Sequence, residues 1–258
     1  MSDAAIHVEC SDFVARVTIS DVARHNAMSL PMWEALRDAF ARIDADREIR
    51  VCLLRGDGDR AFVSGANISE FETQRSSDDA VRHYNAVVAQ TQAAIARSRV
   101  PVVAAISGIC YGGGLGLALS CDLRYAAPHS RFRMPAARLG LGYDVQNMRS
   151  ILNNLGPIAT AEAFYTARVY DAAQACAMGM VNAVVDKVFD HAEAIAREIA
   201  LNAPLTVQAA KQAIVAINES AQDLSAVHAA VQACFKSKDY AEGRLAFAQK
   251  RPPAFTGR

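Results

Sequence analysis

The chain has 258 residues, 52% of them hydrophobic and 21% charged, a composition that suits one large globular domain or a domain with a small appendage and excludes disordered and collagen-like classes. Its 27 basic and 27 acidic residues cancel to a formal net charge of zero, which argues against general binding to nucleic acid or to an anionic membrane surface. An anionic partner must then be met by local charge.

In chain order, "IHVEC" and "FVARVTIS" are short β-branched and aromatic runs split by Ser11 and Asp12, the pattern of a hairpin. Ser29 offers an N-cap with Pro31 in the first turn, and Met32, Leu36, Phe40 and Ile43 recur at helical spacing, which predicts a helix through Asp44. "VCLLRG" reads as a buried strand ended by a turn, "SSDDAVRHYNAVVAQTQAAIAR" as a capped helix with acidic residues at its start, and "PVVAAI" as another buried strand. Uniformly apolar strands alternating with helices predict an α/β sheet covered on its faces. The uncharged run Val100 to Cys121 is long enough to cross a bilayer, but Pro101 and the glycines at 108, 112, 113, 114 and 116 break such a helix. It reads as a strand, a glycine turn and a helix.

Beyond Asp144 strand signals thin out to "MVNAVV", and the alanine-rich remainder predicts helix, including one that starts at Pro204 and is decorated by Gln208, Lys211, Gln212 and Val215. The expected organisation is a core over 1–200 and a helical region over 201–258, with a basic tail from Phe235 onward. The six cysteines at 10, 52, 110, 121, 176 and 234 form no C-x-x-C pair and read mostly as small core residues, so no metal site is expected. The N-terminus has neither a basic nor an apolar leader pattern, and the expectation is a reducing cytoplasm.

Two segments carry candidate chemistry. "AFVSGANISEF" runs a strand end into small residues that let a ligand approach the main chain, and "ISGICYGGGLGLALSCD" brings a strand through three glycines into a helix whose first N–H groups are unpaired. The glycines give neither a dinucleotide fingerprint nor a phosphate-binding lysine loop. Together these segments resemble the two oxyanion-hole motifs of the crotonase superfamily, the enoyl-CoA hydratase/isomerase family, whose patterns are close to A-F-C-A-G-A-D-I and G-x-x-x-G-G-G-x-E-L-A-x-x-C-D. "RHNAMS", "CDLRYAAPHSRFRMPAARLGLG", "AMGMVNAVV" and the terminal "QKRPPAFTGR" extend the resemblance over nearly the whole chain.

The resemblance implies a crotonase (ClpP-like) spiral of strand-strand-helix repeats with a helical C-terminal trimerisation region, assembled as a homotrimer or homohexamer. It implies an acyl-CoA thioester as ligand, coenzyme A entering as part of the substrate and no separate cofactor. The N–H groups of Ala66 and Gly113 would grip the thioester oxygen and stabilise an enolate. Arg24, Ala27, Ala66, Asn67, Ile68, Tyr111, Gly112 and Gly113 would hold the coenzyme, and Gly116, Ala136 and Leu141 would line the acyl pocket. The segment from Arg97 to Arg149 holds seven arginines against two aspartates, which suits an anionic ligand.

The two glutamates of the family's hydratases fall on Gly116 and Ala136, so two-glutamate hydration is disfavoured. Asp144 stands where members resembling dienoyl-CoA isomerase and the haloaromatic-CoA dehalogenases carry a working aspartate, which makes it the single candidate acid/base; it also precedes "VQNMRSILNNLG", where an aspartate serves as a helix cap. Glu70, Glu72 and Arg133 are further candidates for the pocket wall, and Trp33 reads as core. The expected activity is isomerase- or hydratase-like. A non-catalytic acyl-CoA carrier or sensor and a hydrolase-type member are the alternatives. Acyl selectivity is expected from the helix around 68–95 and from the C-terminal region.

Overall fold

Strands that are apolar on both sides need cover on both sides, and the chain supplies it by distributing its strands between two sheets. The computed structural model describes residues 4–67, 77–143 and 145–258. β1 (Ala5–Ser11) and β2 (Val14–Ser20) form the expected hairpin, turned by Asp12 and Phe13, both at positive φ. α1 (Leu30–Ala45) follows, and the Ser29 hydroxyl accepts its Met32 N–H at 3.3 Å as the cap. β3 (Val51–Gly56) and β4 (Ala61–Val63) precede α2 (Asp78–Ala96), which is capped by Ser77. β5 (Val102–Ile106), β6 (Ile109–Tyr111) and α3 (Gly113–Leu119) repeat that order, and β7 (Leu123–Ala126) and β8 (Arg131–Arg133) lead into α4 (Val145–Leu155).

Each strand-strand-helix unit gives its first strand to one sheet and its second to the other. β3, β5 and β7 pair in parallel within a six-stranded sheet that begins with β1 and β2. β4, β6 and β8 pair in parallel within a smaller sheet. The chain therefore winds as a spiral. α5 (Pro157–Thr166), β9 (Tyr170–Asp171), α6 (Ala172–Ala177) and β10 (Ala183–Val184) complete the sheets. "MVNAVV" contributes only the two residues of β10, a shorter strand than its composition predicts, because its N-terminal part turns out of α6 and only Ala183 and Val184 register with β7.

The alternating faces of the larger sheet enter two cores. Val17, Cys52, Leu54, Val102 and Ala104 face the core that holds Trp33, Phe40, Phe62, Phe132 and Tyr170. Val14, Val51, Leu53, Val103 and Ala105 face α7 (Val188–Leu201), whose Ala192, Ala196 and Ala200 repeat every fourth residue and let the helix sit close to the sheet.

α8 (Pro204–Asn218) begins at Pro204 as the sequence predicts, but Lys211 is not surface decoration. It is buried, and its Nζ lies 2.7 Å from Asp122 Oδ2 and 2.9 Å from the Val100 carbonyl, tying α8 to the start of β7. Asp122 also accepts the Val102 N–H at 2.7 Å, so one carboxylate serves sheet and helix. α9 (Ser225–Lys236) and α10 (Lys238–Gln249) complete the chain, and the terminal segment folds back on α10. There Asp239 accepts the N–H groups of Thr256 and Gly257 at 2.7 and 2.8 Å, and Glu242 takes Arg251 in a two-pronged ion pair. Among the described residues no helix is long and apolar enough to cross a membrane.

Candidate active site

The glycine turn positions α3 through two backbone requirements. Gly112 has φ +53°, a left-handed conformation that suits glycine, and its N–H is held by the Arg133 carbonyl at 2.8 Å. Gly114 packs directly on β4, where a Cβ would lie 2.2 Å from the Val63 carbonyl oxygen. Gly113 is the first helical residue, so its N–H has no acceptor inside the helix.

A second main-chain N–H without an acceptor among the described residues lies in the segment after β4. Met28 pairs with Ala66 as an isolated parallel bridge, in which Met28 N–H donates to the Gly65 carbonyl at 2.8 Å and Asn67 N–H donates to the Met28 carbonyl at 3.0 Å. The groups flanking Ala66 are used on that side, so its own N–H projects from the opposite edge. Ala66 and Gly113 both line one cavity of about 370 Å³. The Met28 side of the bridge is anchored by Asn26 in "RHNAMS". This buried amide accepts Asp21 N–H at 2.9 Å and donates to the Asp57 and Ala61 carbonyls at 3.0 and 2.8 Å.

The rest of the cavity wall comes from α1, α2 and residues 135–151. Val81, Tyr84, Asn85, Val88 and Gln92 present one face of α2, and Trp33 of α1 lies against Gly113. Trp33 is fully buried, as expected of a core residue, and it is also wall. Gly116, Ala136 and Leu141 line the cavity, together with Gly112. Ala136 starts a short turn of helix that follows Pro135. No Asp, Glu, His, Lys or Arg stands among the described lining residues. Burial pushes the Cys110 thiol well up and the Cys121 thiol to about 12, so neither is a thiolate nucleophile at neutral pH. Among the described residues no group of His, Cys, Asp or Glu is assembled to hold a metal ion.

Ile68, Glu70, Glu72 and Asp144 lie outside the described residues. Arg24, Ala27, Asn67 and Tyr111 are close in the chain or sheet to the two donor segments but are not cavity wall. Tyr111 ends β6, where its carbonyl faces Gly65. Arg133 donates to the Ala167 carbonyl at 2.8 Å instead of reaching the cavity.

Three of the seven arginines of 97–149 are engaged in structural ties. Arg97 pairs with Glu219, Arg99 binds the Asp44, Asp46 and Ile49 carbonyls, and buried Arg124 binds the Cys121 and Met180 carbonyls. Part of the segment's positive charge is thus spent on structural ties. The signal missed in the sequence is the α2 face: Tyr84, Val88 and Gln92 repeat every fourth residue, but a glutamine in a polar-looking helix does not announce burial.

The structure is similar to a crystal structure of an enoyl-CoA hydratase/isomerase family protein from Hyphomonas neptunium, with a TM-score of 0.93 and 33% identity over 98% of both chains. It is also similar to that of an enoyl-CoA hydratase/carnithine racemase from Magnetospirillum magneticum, with a TM-score of 0.92 and 37% identity over 98% of this chain and 96% of that one. In sequence it is 30% identical over 245 residues to the short-chain-enoyl-CoA hydratase of Clostridium acetobutylicum, covering 92% of each. The family model for enoyl-CoA hydratase/isomerase matches residues 9–258. The α/β spiral, its two donor segments and these matches over nearly the full chain make it a member of the enoyl-CoA hydratase/isomerase family.

Proposed function

We propose that this protein is an acyl-CoA enzyme that stabilises a thioester enolate, with Ala66 and Gly113 N–H groups as the oxyanion donors. The observation that carries this reading is the convergence of these two residues on one cavity, each with a main-chain N–H that no described protein group takes. Loss of a proton beside a thioester puts negative charge on the carbonyl oxygen. Two fixed donors meet that charge without reorganising, and each is worth about 3 kcal/mol of barrier in sites of this kind.

The lining residues at Gly116 and Ala136 supply no carboxylate to orient and deprotonate water, so the expected chemistry is isomerase- or hydratase-like with Asp144 as the single acid/base. The coenzyme part of the ligand would run past Arg24, Ala27, Asn67 and Ile68, where Arg24 is exposed. Ile214, Ile217, Phe235 and Phe247 on the C-terminal helices are exposed apolar side chains, which supports assembly as a homotrimer or homohexamer.

The carboxylate-free wall among the described residues favours one second reading, a carrier or sensor that grips acyl-CoA without turning it over. Asp144→Asn separates the two. Binding of acyl-CoA esters retained with turnover lost identifies the enzyme, whereas binding with no turnover in either protein identifies the carrier. Absence of any heat on titrating coenzyme A esters overturns both.

A further inference from the structure

The space beside Gly116 is not empty. A Cβ added there would meet Gln92 Nε2 at 2.7 Å, so the glutamine of α2 fills the volume that a side chain at position 116 would take. Gln92 is 7% exposed and lines the cavity, and its side-chain amide makes no hydrogen bond with a protein group among the described residues. The amide opens into the cavity, where a ligand can supply the partner that the protein does not.

The position of that partner follows from α3. Gly116 lies three residues beyond Gly113, which at ~1.5 Å of rise per residue puts it about 4.5 Å further along the helix. A thioester oxygen held at Gly113 therefore places the next carbons of the acyl chain beside Gly116 and the Gln92 amide. An amide N–H donates a hydrogen bond but is no proton-transfer group at neutral pH, so its role is recognition.

Resting on the acyl-CoA reading above, we propose that Gln92 is a specificity-determining residue that donates a hydrogen bond to an oxygen on the third acyl carbon, and that the preferred ligands are 3-oxoacyl thioesters. The deprotonated form of such an ester shares its charge between two oxygens. Ala66 and Gly113 meet the first and Gln92 meets the second. The apolar remainder of the wall, including Val81, Val88 and Leu141, accommodates the hydrocarbon end.

Calorimetric titration with 3-oxobutanoyl-CoA and butanoyl-CoA tests this in the unmodified protein. One net hydrogen bond predicts that the 3-oxo ester binds about fivefold to tenfold more tightly. Gln92→Leu, which keeps the bulk and removes the donor, should bring the ratio close to one. Gly116→Ala should lower it too, because the new methyl displaces the end of a flexible side chain. A ratio near one in the unmodified protein, or a ratio that survives Gln92→Leu, overturns the assignment of Gln92 while leaving the thioester grip standing. Binding of neither ester overturns the acyl-CoA reading and this assignment with it. Should Gln92→Leu fail to fold, the two-ester ratio in the unmodified protein and in Gly116→Ala decides.

Discussion

The two ends of the cavity are built by different means. At one end Ala66 and Gly113 contribute main chain, held by the Met28 bridge, by Asn26 and by the close seat of Gly114 on β4. At the other end the wall is side chain: Gln92, Tyr84 and Val88 of α2 against Gly116 and Ala136. Main-chain geometry is over-determined by the fold, so the first end is fixed wherever the spiral forms. The second end changes with single substitutions. On the proposed reading, such a division lets one fold keep its main-chain donors while acyl recognition varies.

Gly114→Ala is the harshest way to break the main-chain end. Its methyl would sit 2.2 Å from a main-chain oxygen that cannot swing aside. We expect a loss of about 3 kcal/mol in urea unfolding from overpacking. As α3 shifts and Gly113 moves off its line, acyl-CoA turnover should fall by about 100-fold.

Asn26→Ala attacks the same end from behind. It leaves the Asp21 N–H and the Asp57 and Ala61 carbonyls without their partner, and should cost about 2 kcal/mol with weaker ester binding in calorimetry. Ala136→Leu acts at the side-chain end. It should change stability by less than about 1 kcal/mol while weakening the longest accepted acyl chains most in a chain-length series of dissociation constants. If Ala136→Leu harmed all esters equally, the division of labour between the two ends would fail.

The smallest expected effect lies far from the cavity and serves as the control. The Arg251 guanidinium and the Ala254 N–H hold the Glu242 carboxyl down from about 4.5 to about 2. A depressed carboxyl stabilises the folded form above its unfolded value and loses that contribution as pH falls through the folded one. Hydrogen-exchange protection at the terminal segment, measured against the intrinsic rate at each pH, should therefore fall between about pH 4.5 and 2, ahead of protection in β3 and β5. Early exchange in the sheet instead would contradict it.

The main-chain end was the legible one. Small residues in "VSGAN" and "CYGGGLG" are demanded by backbone approach, and that demand is written locally in the sequence. The same holds for the Ser29 cap, the apolar β3 and β5 and the Pro204 helix start. Gln92 was illegible because its burial depends on what crosses it: only after α3 packs beside α2 does the missing side chain at 116 make room for it. Lys211 was misread for the same reason, its carboxylate partner being 89 residues away. The arginines of 97–149 show the converse, a local cluster in sequence that tertiary structure scatters onto separate carbonyls and carboxylates.

Because Ala66 pairs with Met28, a connector between the first hairpin and α1 acts as a splint for the proposed thioester grip. Opening the chain anywhere from His25 to Met28, by a protease or by circular permutation, would spare every cavity-lining residue and still unfasten the donor. The geometry at Ala66 therefore depends on peptide bonds that lie outside the pocket.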